Sequence, residues 1–423
     1  MVRASIRSYL APMPRHILLA AIVIALVACA PQATRQPLHT DRSAPLLLIS
    51  IDGFRPDYLN RGLSPTLSQF AREGVRAEGM QPAFPSLTFP NHYTLVTGLY
   101  PDHHGIVANT MEDPAIPGVR FLSKGDTAGD ERWWDEATPI WNSADRAGLR
   151  TATMFWPGSD APIHGLHPDY WRAFDKTVSP AQRVDQVLAW LDLPAAQRPR
   201  FITLYFDAVD HVGHEHGPDS PEVNAAIVEV DAALAKLRDG LAQRGLSNAI
   251  NIVIVSDHGM AAAPADHHLV LDDIVPADTV TTVTIGVLAG LRANPGHETE
   301  VETTLLARHE HMQCWRKNAV PARLHYGHNA RVPPLLCLAD VGWIITTREE
   351  MARRKSYSLG EHGYDNAAPS MRALFIARGP AFRNGVVLPE FPNVDVYPLL
   401  AKLLGISPEG NDGDLAPLRP ALH

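Results

Sequence analysis

The sequence predicts an α/β fold, with a mostly parallel central sheet flanked by helices and a smaller inserted subdomain. Three observations predict it: short, nearly all-apolar runs recur, helical patterns lie between them, and one long stretch breaks the alternation. The runs are Leu46–Ile51, Phe201–Phe206 and Asn251–Val255, with Thr151–Trp156 a weaker fourth. Runs of this kind fit strands buried on both faces of a parallel sheet. The clearest helix opens at Ser220-Pro221-Glu222, a capping residue followed by Pro in the first turn. Its apolar residues Val223, Ile227, Val230, Leu234, Leu237 and Leu241 recur every three or four positions, and Gly245 can end it. Ser64-Pro65 and Ser179-Pro180 open similar helices. Strands alternating with helices imply right-handed crossovers. Residues 277–356 lose that rhythm and are read as the inserted subdomain, with β-like runs at Val280–Val287 and Val341–Thr347 and a helix near Glu298–His309. The main α/β domain is then 45–276 and 357–423. It resumes with a strand at Arg372–Ala377 and closes with a helix from Asp395 to Leu404, stopped by Gly405.

The 423 residues are 45% hydrophobic and 20% charged, the composition of a soluble globular protein. Formal net charge is -9. Residues 1–28 carry Arg3, Arg7 and Arg15 and no acid; without them, 34 basic side chains face 46 acidic ones. That balance excludes a general nucleic-acid surface but leaves room for a small anionic ligand met by local cations. Residues 1–28 read as an export signal, with basic residues ahead of an apolar run, Ile17–Val27, too short for a comfortable membrane span. Leu26-Val27-Ala28-Cys29 resembles a bacterial lipobox, which makes Cys29 a lipidation site; an ordinary signal peptide cut nearby is the alternative. The polar, Pro-containing stretch 29–44 reads as a linker. The mature chain is expected outside the cytoplasm, in the periplasm or on the outer surface, touching membrane only through a lipid anchor. There Cys314 and Cys337 are either a disulfide or two free buried thiols; neither has the spacing of a metal site.

Three carboxylates stand just beyond strand ends: Asp52 after Ile51, Asp257 after Val255-Ser256, and Asp210 four residues after Phe206. A lone Asp in such a place is usually a turn former or a cap. Ligands of open parallel sheets, however, bind outside the carboxyl ends of the strands, so the three are expected to converge. Asp210 and His214 share a helical face, Asp257-His258-Gly259 supplies an adjacent pair at a tight turn, and His362 sits in Glu361-His362-Gly363. Mixed nitrogen and oxygen ligands suit Zn²⁺, at three or four per ion, and the set suffices for two ions. Thr88, in Pro85-Ser86-Leu87-Thr88-Phe89-Pro90, falls at the start of a helix; it is either an N-cap or a nucleophile whose proton a metal withdraws. Most of the 20 histidines are expected to be ordinary. Asp266-His267-His268 reads as a solvated loop, and His92 and His211 as supporting or structural residues.

The chain resembles bacterial nucleotide pyrophosphatase/phosphodiesterases of the alkaline phosphatase superfamily, from about Leu46 to Leu404. The resemblance rests on Ser50-Ile51-Asp52-Gly53-Phe54-Arg55, Phe84–His92, Val96-Thr97-Gly98-Leu99-Tyr100-Pro101 with Asn109 beyond, Tyr205–His214, Val255–Met260 and Gly360–Asn366. It implies an alkaline-phosphatase-like fold and two Zn²⁺ ions, one held by Asp210, His214 and His362, the other by Asp52, Asp257, His258 and the Thr88 oxygen. It implies that Thr88 attacks phosphorus, that Asn109 and the Phe89 N–H hold a phosphoryl oxygen, and that a phosphothreonine is then hydrolysed. The substrate is expected to be a nucleotide phosphodiester or phosphoanhydride, cleaved to a nucleoside monophosphate. Phe89, Leu122, Trp156, Tyr170, Trp171 and Tyr205 are the candidates for a base-stacking slot, although Trp156 and Tyr205 lie on or beside predicted strands and suit the core equally. The alternatives are a phosphate monoesterase with a Thr nucleophile and a zinc-binding lipoprotein without turnover.

Overall fold

The computed structural model describes residues 44–353 and 356–423. The export signal, Cys29 and nearly all of the linker lie outside the described residues. Eight strands form the main sheet: β1 (Leu46–Ile51), β2 (Val75–Ala77), β3 (Thr151–Met154), β4 (Tyr170–Arg172), β5 (Phe201–Phe206), β6 (Asn251–Val255), β7 (Phe375–Arg378) and β8 (Val386–Leu388). Their order is β8-β2-β7-β6-β1-β5-β3-β4, and β7 alone runs against its neighbours. The expected mostly parallel α/β sheet is therefore present, with one reversed strand.

The helices that matter for the site are α1 (Pro65–Glu73), α2 (Thr88–Thr97), α3 (Pro180–Leu191), α4 (Ala208–His216), α5 (Pro221–Gln243) and α6 (Val396–Leu404). Strand side chains alternate between faces. Leu46 and Leu48 of β1 therefore join one core with Tyr93 of α2 and Leu399 of α6. Leu47, Ile49 and Ile51 join the other, with Leu67 of α1, Val187 of α3 and Ile227 of α5. The helix starts follow the sequence with one difference. Ser179 and Ser220 accept hydrogen bonds from first-turn amides, as capping residues do. Ser64 does not; the Asp231 carboxylate of α5 accepts from Thr66 and Leu67 instead, so a tertiary contact caps α1.

Within 277–356, strands Val280–Thr284, Leu288–Ala293, Leu335–Ala339 and Met312–Arg316 form a separate antiparallel sheet, and the helix is Glu298–Leu305. One face of this sheet has its own core, including Leu291, Val301, Leu305 and Leu335. From the other face, Leu288, Leu336 and Leu338 belong to the main core. Cys314 and Cys337 stand directly opposite across the sheet, and their sulfurs are bonded. The solvated loop expected at Asp266-His267-His268 holds for Asp266, an exposed turn residue, and needs correction at the two histidines. His268 begins a short strand paired in parallel with Ile344–Thr346, and His267 stacks on Trp343 at 4.4 Å. Backbone pairing holds the main chain at His268, and the Trp343 face holds the His267 ring. Among the described residues no helix is long and apolar enough to cross a membrane.

Candidate active site

Asp52 leaves the end of β1, Asp257 follows β6, and α4 begins two residues after β5 and carries Asp210 and His214. The loop ends are tied together: the Gly53 N–H donates to Asp257 Oδ1 at 3.3 Å and the Phe54 N–H to Ser256 Oγ at 3.0 Å. Gly53 has φ of +68°, and a Cβ there would come within 3.0 Å of the Asp210 Cα. Gly259 is needed for a different reason from the one expected. It makes no left-handed turn; a Cβ at this position would lie 2.1 Å from the Ser370 carbonyl oxygen.

The structure brings the predicted ligands into one cluster. His214 Nε2 and His362 Nε2 each lie 3.5 Å from Asp210 Oδ1. His258 Nε2 lies 3.4 Å from Asp52 Oδ1 and 2.9 Å from Asp257 Oδ2. The His258 and His362 rings stack at 3.5 Å, which sets the two groups of ligands side by side. The other ring nitrogens fix the tautomers. Nδ1 of His214, His258 and His362 lies 2.7, 2.8 and 2.8 Å from the carbonyl oxygens of Gly360, Gly259 and Ser86. A carbonyl only accepts, so each Nδ1 carries the proton and each Nε2 turns toward the carboxylates. Those carboxylates offer Asp52 Oδ1, Asp210 Oδ1 and Asp257 Oδ2, all buried without a hydrogen-bond partner. Lone pairs facing lone pairs at these distances repel. A proton on His258 relieves some of these contacts; cations relieve all of them, and the donor set fits a divalent metal such as zinc.

The charges point the same way. Burial pushes the Asp52 carboxyl well above the usual range, the neighbouring Asp257 and Asp210 add to it, and the Tyr205 hydroxyl opposes. Burial also disfavours charge on Asp257, but the His258 and His92 rings hold its carboxyl well below the ordinary value. Burial pushes His362 down to about 3, with the His258 ring adding, so His362 is neutral. A neutral imidazole is the form that binds a metal.

Thr88 is the first residue of α2, preceded by Leu87 in extended conformation, and its hydroxyl makes no cap bond. Instead Thr88 Oγ1 lies 3.2 Å from His258 Nε2. The Phe89 N–H donates to Asn109 Oδ1 at 3.1 Å, so these two groups, expected to share a phosphoryl oxygen, hold each other. That bond leaves Asn109 its NH₂ group to donate. His92 also lies in the cluster, with Asp52 and Asp257. Both its nitrogens are engaged, Nδ1 with the Thr88 carbonyl at 2.9 Å and Nε2 with Ser50 Oγ at 2.8 Å, which makes it a support for the first turn of α2. His211 is exposed and faces Glu215.

Two members of the expected base slot lie in the core, the alternative that their place on or beside strands also allowed. Trp156 is buried and donates its indole N–H to the His92 carbonyl. Tyr205 is buried too, and its hydroxyl donates to Asp52 Oδ2 at 2.6 Å, so it braces one of the candidate ligands. Tyr170 donates to the Gln197 carbonyl at the sheet edge, and Trp171 stacks on His167 at 4.3 Å. Phe89 and Leu122 remain. Phe89 is half-buried against Phe121 and Trp134. Leu122 is 44% exposed and pairs with Thr110, next to Asn109. The sequence pattern does not reveal Phe174, which is 47% exposed with its ring 6.0 Å from Tyr205. No periodicity marks it; an exposed aromatic beside the site is recognisable only once folded.

A sequence profile described as type I phosphodiesterase / nucleotide pyrophosphatase matches residues 46–365. The chain is 39% identical over 380 residues to an uncharacterized pyrophosphatase/phosphodiesterase of Schizosaccharomyces pombe, covering 87% of this chain and 78% of that protein. It is 40% identical over 380 residues to a bis(5'-adenosyl)-triphosphatase of Xenopus laevis, covering 89% and 81%. The solved structure of the murine ectonucleotide pyrophosphatase/phosphodiesterase 5, as an inactive threonine-to-alanine variant with AMP, is 34% identical. It superposes with a TM-score of 0.86 over 90% of this chain and 100% of that one. These relatives are eukaryotic, so the match shows the family without the bacterial qualifier. The chain belongs to the type I phosphodiesterase/nucleotide pyrophosphatase family and is a phosphodiester-cleaving hydrolase.

Proposed function

We propose that this chain hydrolyses phosphodiester or phosphoanhydride bonds of nucleotides through a phosphothreonine on Thr88, releasing a nucleoside monophosphate. The observation that carries the reading is a first-turn hydroxyl 3.2 Å from His258 Nε2, beside three buried carboxylate oxygens without hydrogen-bond partners. Asp210, His214 and His362 would hold one zinc ion, and Asp52, Asp257, His258 and Thr88 the other. Bound there, the pair would lower the hydroxyl pKa and take up charge on the leaving oxygen. Thr88 attacks phosphorus in line, with the positive end of α2 favouring the incoming anion. The Asn109 NH₂ donates to a non-bridging oxygen as its charge grows. Water then cleaves the phosphothreonine, and two inversions retain configuration at phosphorus. Phe89 and Phe174 are the aromatic faces offered to a base, with Leu122 at the edge. The threonine-to-alanine change that accompanies inactivity in the murine relative supports a Thr nucleophile, and the AMP bound there supports a nucleotide ligand.

The test compares the nitrophenyl ester of thymidine monophosphate with nitrophenyl phosphate. Wild type is expected to prefer the nucleotide ester, and Thr88→Ala to lose measurable turnover while keeping its metal. Preference for the bare monoester would instead make the chain a monoesterase. Absence of turnover in the metal-replete wild type would leave a zinc-binding lipoprotein. Export and lipidation at Cys29 rest on residues 1–29 alone, and mass spectrometry of the mature N-terminus decides them.

A further inference from the structure

Arg331 comes from the 277–356 region, yet its bonds lie in the main domain. Its side chain is 3% exposed. Nε donates to Asp113 Oδ2 at 2.6 Å, and Nη1 to the carbonyl oxygens of Gly105 and Trp133 at 2.9 and 2.6 Å. Nη2 donates to the Arg132 carbonyl at 3.0 Å and lies 3.1 Å from Glu136 Oε1. A guanidinium has five N–H donors; four of them have an acceptor here, and the Glu136 carboxylate adds an ion pair at Nη2. The residues before it add to the clamp. The buried Asp102 carboxylate accepts from the N–H groups of Gly327, His328 and Asn329, and Tyr326 donates to the Val107 carbonyl at 2.9 Å.

These anchors bracket two parts of the substrate site. Gly105, Val107 and Asp113 lie on either side of Asn109, whose side chain holds the Phe89 N–H. Arg132, Trp133 and Glu136 enclose Trp134, whose ring lies 6.1 Å from that of Phe89. Burying a guanidinium and a carboxylate is a weak way to gain stability, since well-packed apolar residues do as well. It is a strong way to hold three backbone segments at fixed distances, because a planar fork tolerates little displacement.

We propose that Arg331 is a positioning residue: through it the inserted region sets the Asn109 arm and the aromatic wall behind Phe89. The proposal rests on the phosphodiesterase reading above. It is tested with Arg331→Met and Arg331→Lys on two diesters, the nitrophenyl ester of thymidine monophosphate and bis(nitrophenyl) phosphate, which has no nucleoside. Metal content is expected to match wild type in both variants. On the nucleoside ester, kcat/KM is expected to fall about 10- to 100-fold with a rise in KM, the scale of a small misplacement of positioning groups. On bis(nitrophenyl) phosphate the fall is smaller, so the ratio of the two rates drops by roughly tenfold. Lys, which keeps the charge but not the fork, is expected to behave like Met. Equal losses on both substrates with a lowered Tm would make Arg331 a plain stabiliser and overturn the proposal. If Arg331→Met gives no cooperative melt, Asp113→Asn removes one charged acceptor and keeps its shape. A drop in the same ratio then supports the clamp, and an unchanged ratio overturns it. Thr88→Ala is assayed alongside: activity retained in that variant refutes the nucleophile, whereas an unchanged substrate ratio refutes only the clamp.

Discussion

Tyr205→Phe removes one oxygen atom and tests how the buried carboxylates are held for a cation. The ring stays in place against His92, 5.2 Å away, so packing is preserved. What disappears is the 2.6 Å hydrogen bond to Asp52 Oδ2, while Asp52 Oδ1, facing His258, has no hydrogen-bond partner. A hydrogen bond to a charged acceptor is worth about 1.5–3 kcal/mol, and about 1.4 kcal/mol is one decade of affinity. The variant is therefore expected to hold the ion at the Asp52 side about 10- to 100-fold more weakly, the range usual for loss of a group that supports a metal ligand. The ion at Asp210, His214 and His362 should be retained. Chelator competition with zinc counted per chain reads both. The pH dependence has a definite sign. Burial raises the Asp52 carboxyl and the Tyr205 hydroxyl lowers it, so the variant protonates at higher pH than wild type. Proton and cation compete, and the deficit should be larger at pH 6 than at pH 8. Equal weakening of both ions, or none, would refute the assignment of Tyr205 to Asp52.

Two stability predictions follow from positions away from the candidate metal site. Asp395 is buried at the start of α6, and burial, chiefly, raises its carboxyl to about 6 from 3.8. The folded state thus binds this proton more tightly than the unfolded chain, so stability falls as pH rises from about 4 to 6, by at most about 3 kcal/mol. Asp395→Asn keeps an acceptor for the Asp414 N–H and should raise Tm at pH 8, with the gain vanishing near pH 4; a gain independent of pH would refute the assignment. Cys314→Ala opens a loop with a sequence separation of 23, and the chain-entropy relation gives a loss of about 3 kcal/mol. Denaturant unfolding should register that loss with metal content unchanged, since the pair lies in the separate sheet.

The cluster of carboxylates and imidazoles was legible because local and topological rules fix it. Asp210 and His214 meet because a helix brings residues four apart onto one face, and Asp52 and Asp257 meet because the strands they follow are parallel neighbours. The Thr88 hydroxyl was legible as a helix start, and Leu87, not Thr88, proved to be the capping position. The surroundings of the aromatic candidates were not legible. Trp156, Tyr170, Trp171 and Tyr205 have the right chemistry, but each finds another contact, and Phe174 lies outside any pattern that distinguishes it.

By itself, the sequence determined the alternating α/β architecture, the acids and imidazoles that gather at the strand ends and the residue at the head of α2, because periodicity and strand-end placement are properties of neighbouring residues. Tertiary structure alone decided which imidazole nitrogen turns inward, why Gly259 must lack a side chain, and that Arg331 reaches back to brace the Asn109 segment. Those outcomes depend on which carbonyl or carboxylate, often tens to hundreds of residues distant, arrives within about 3 Å, and a linear pattern of residue types does not specify such encounters.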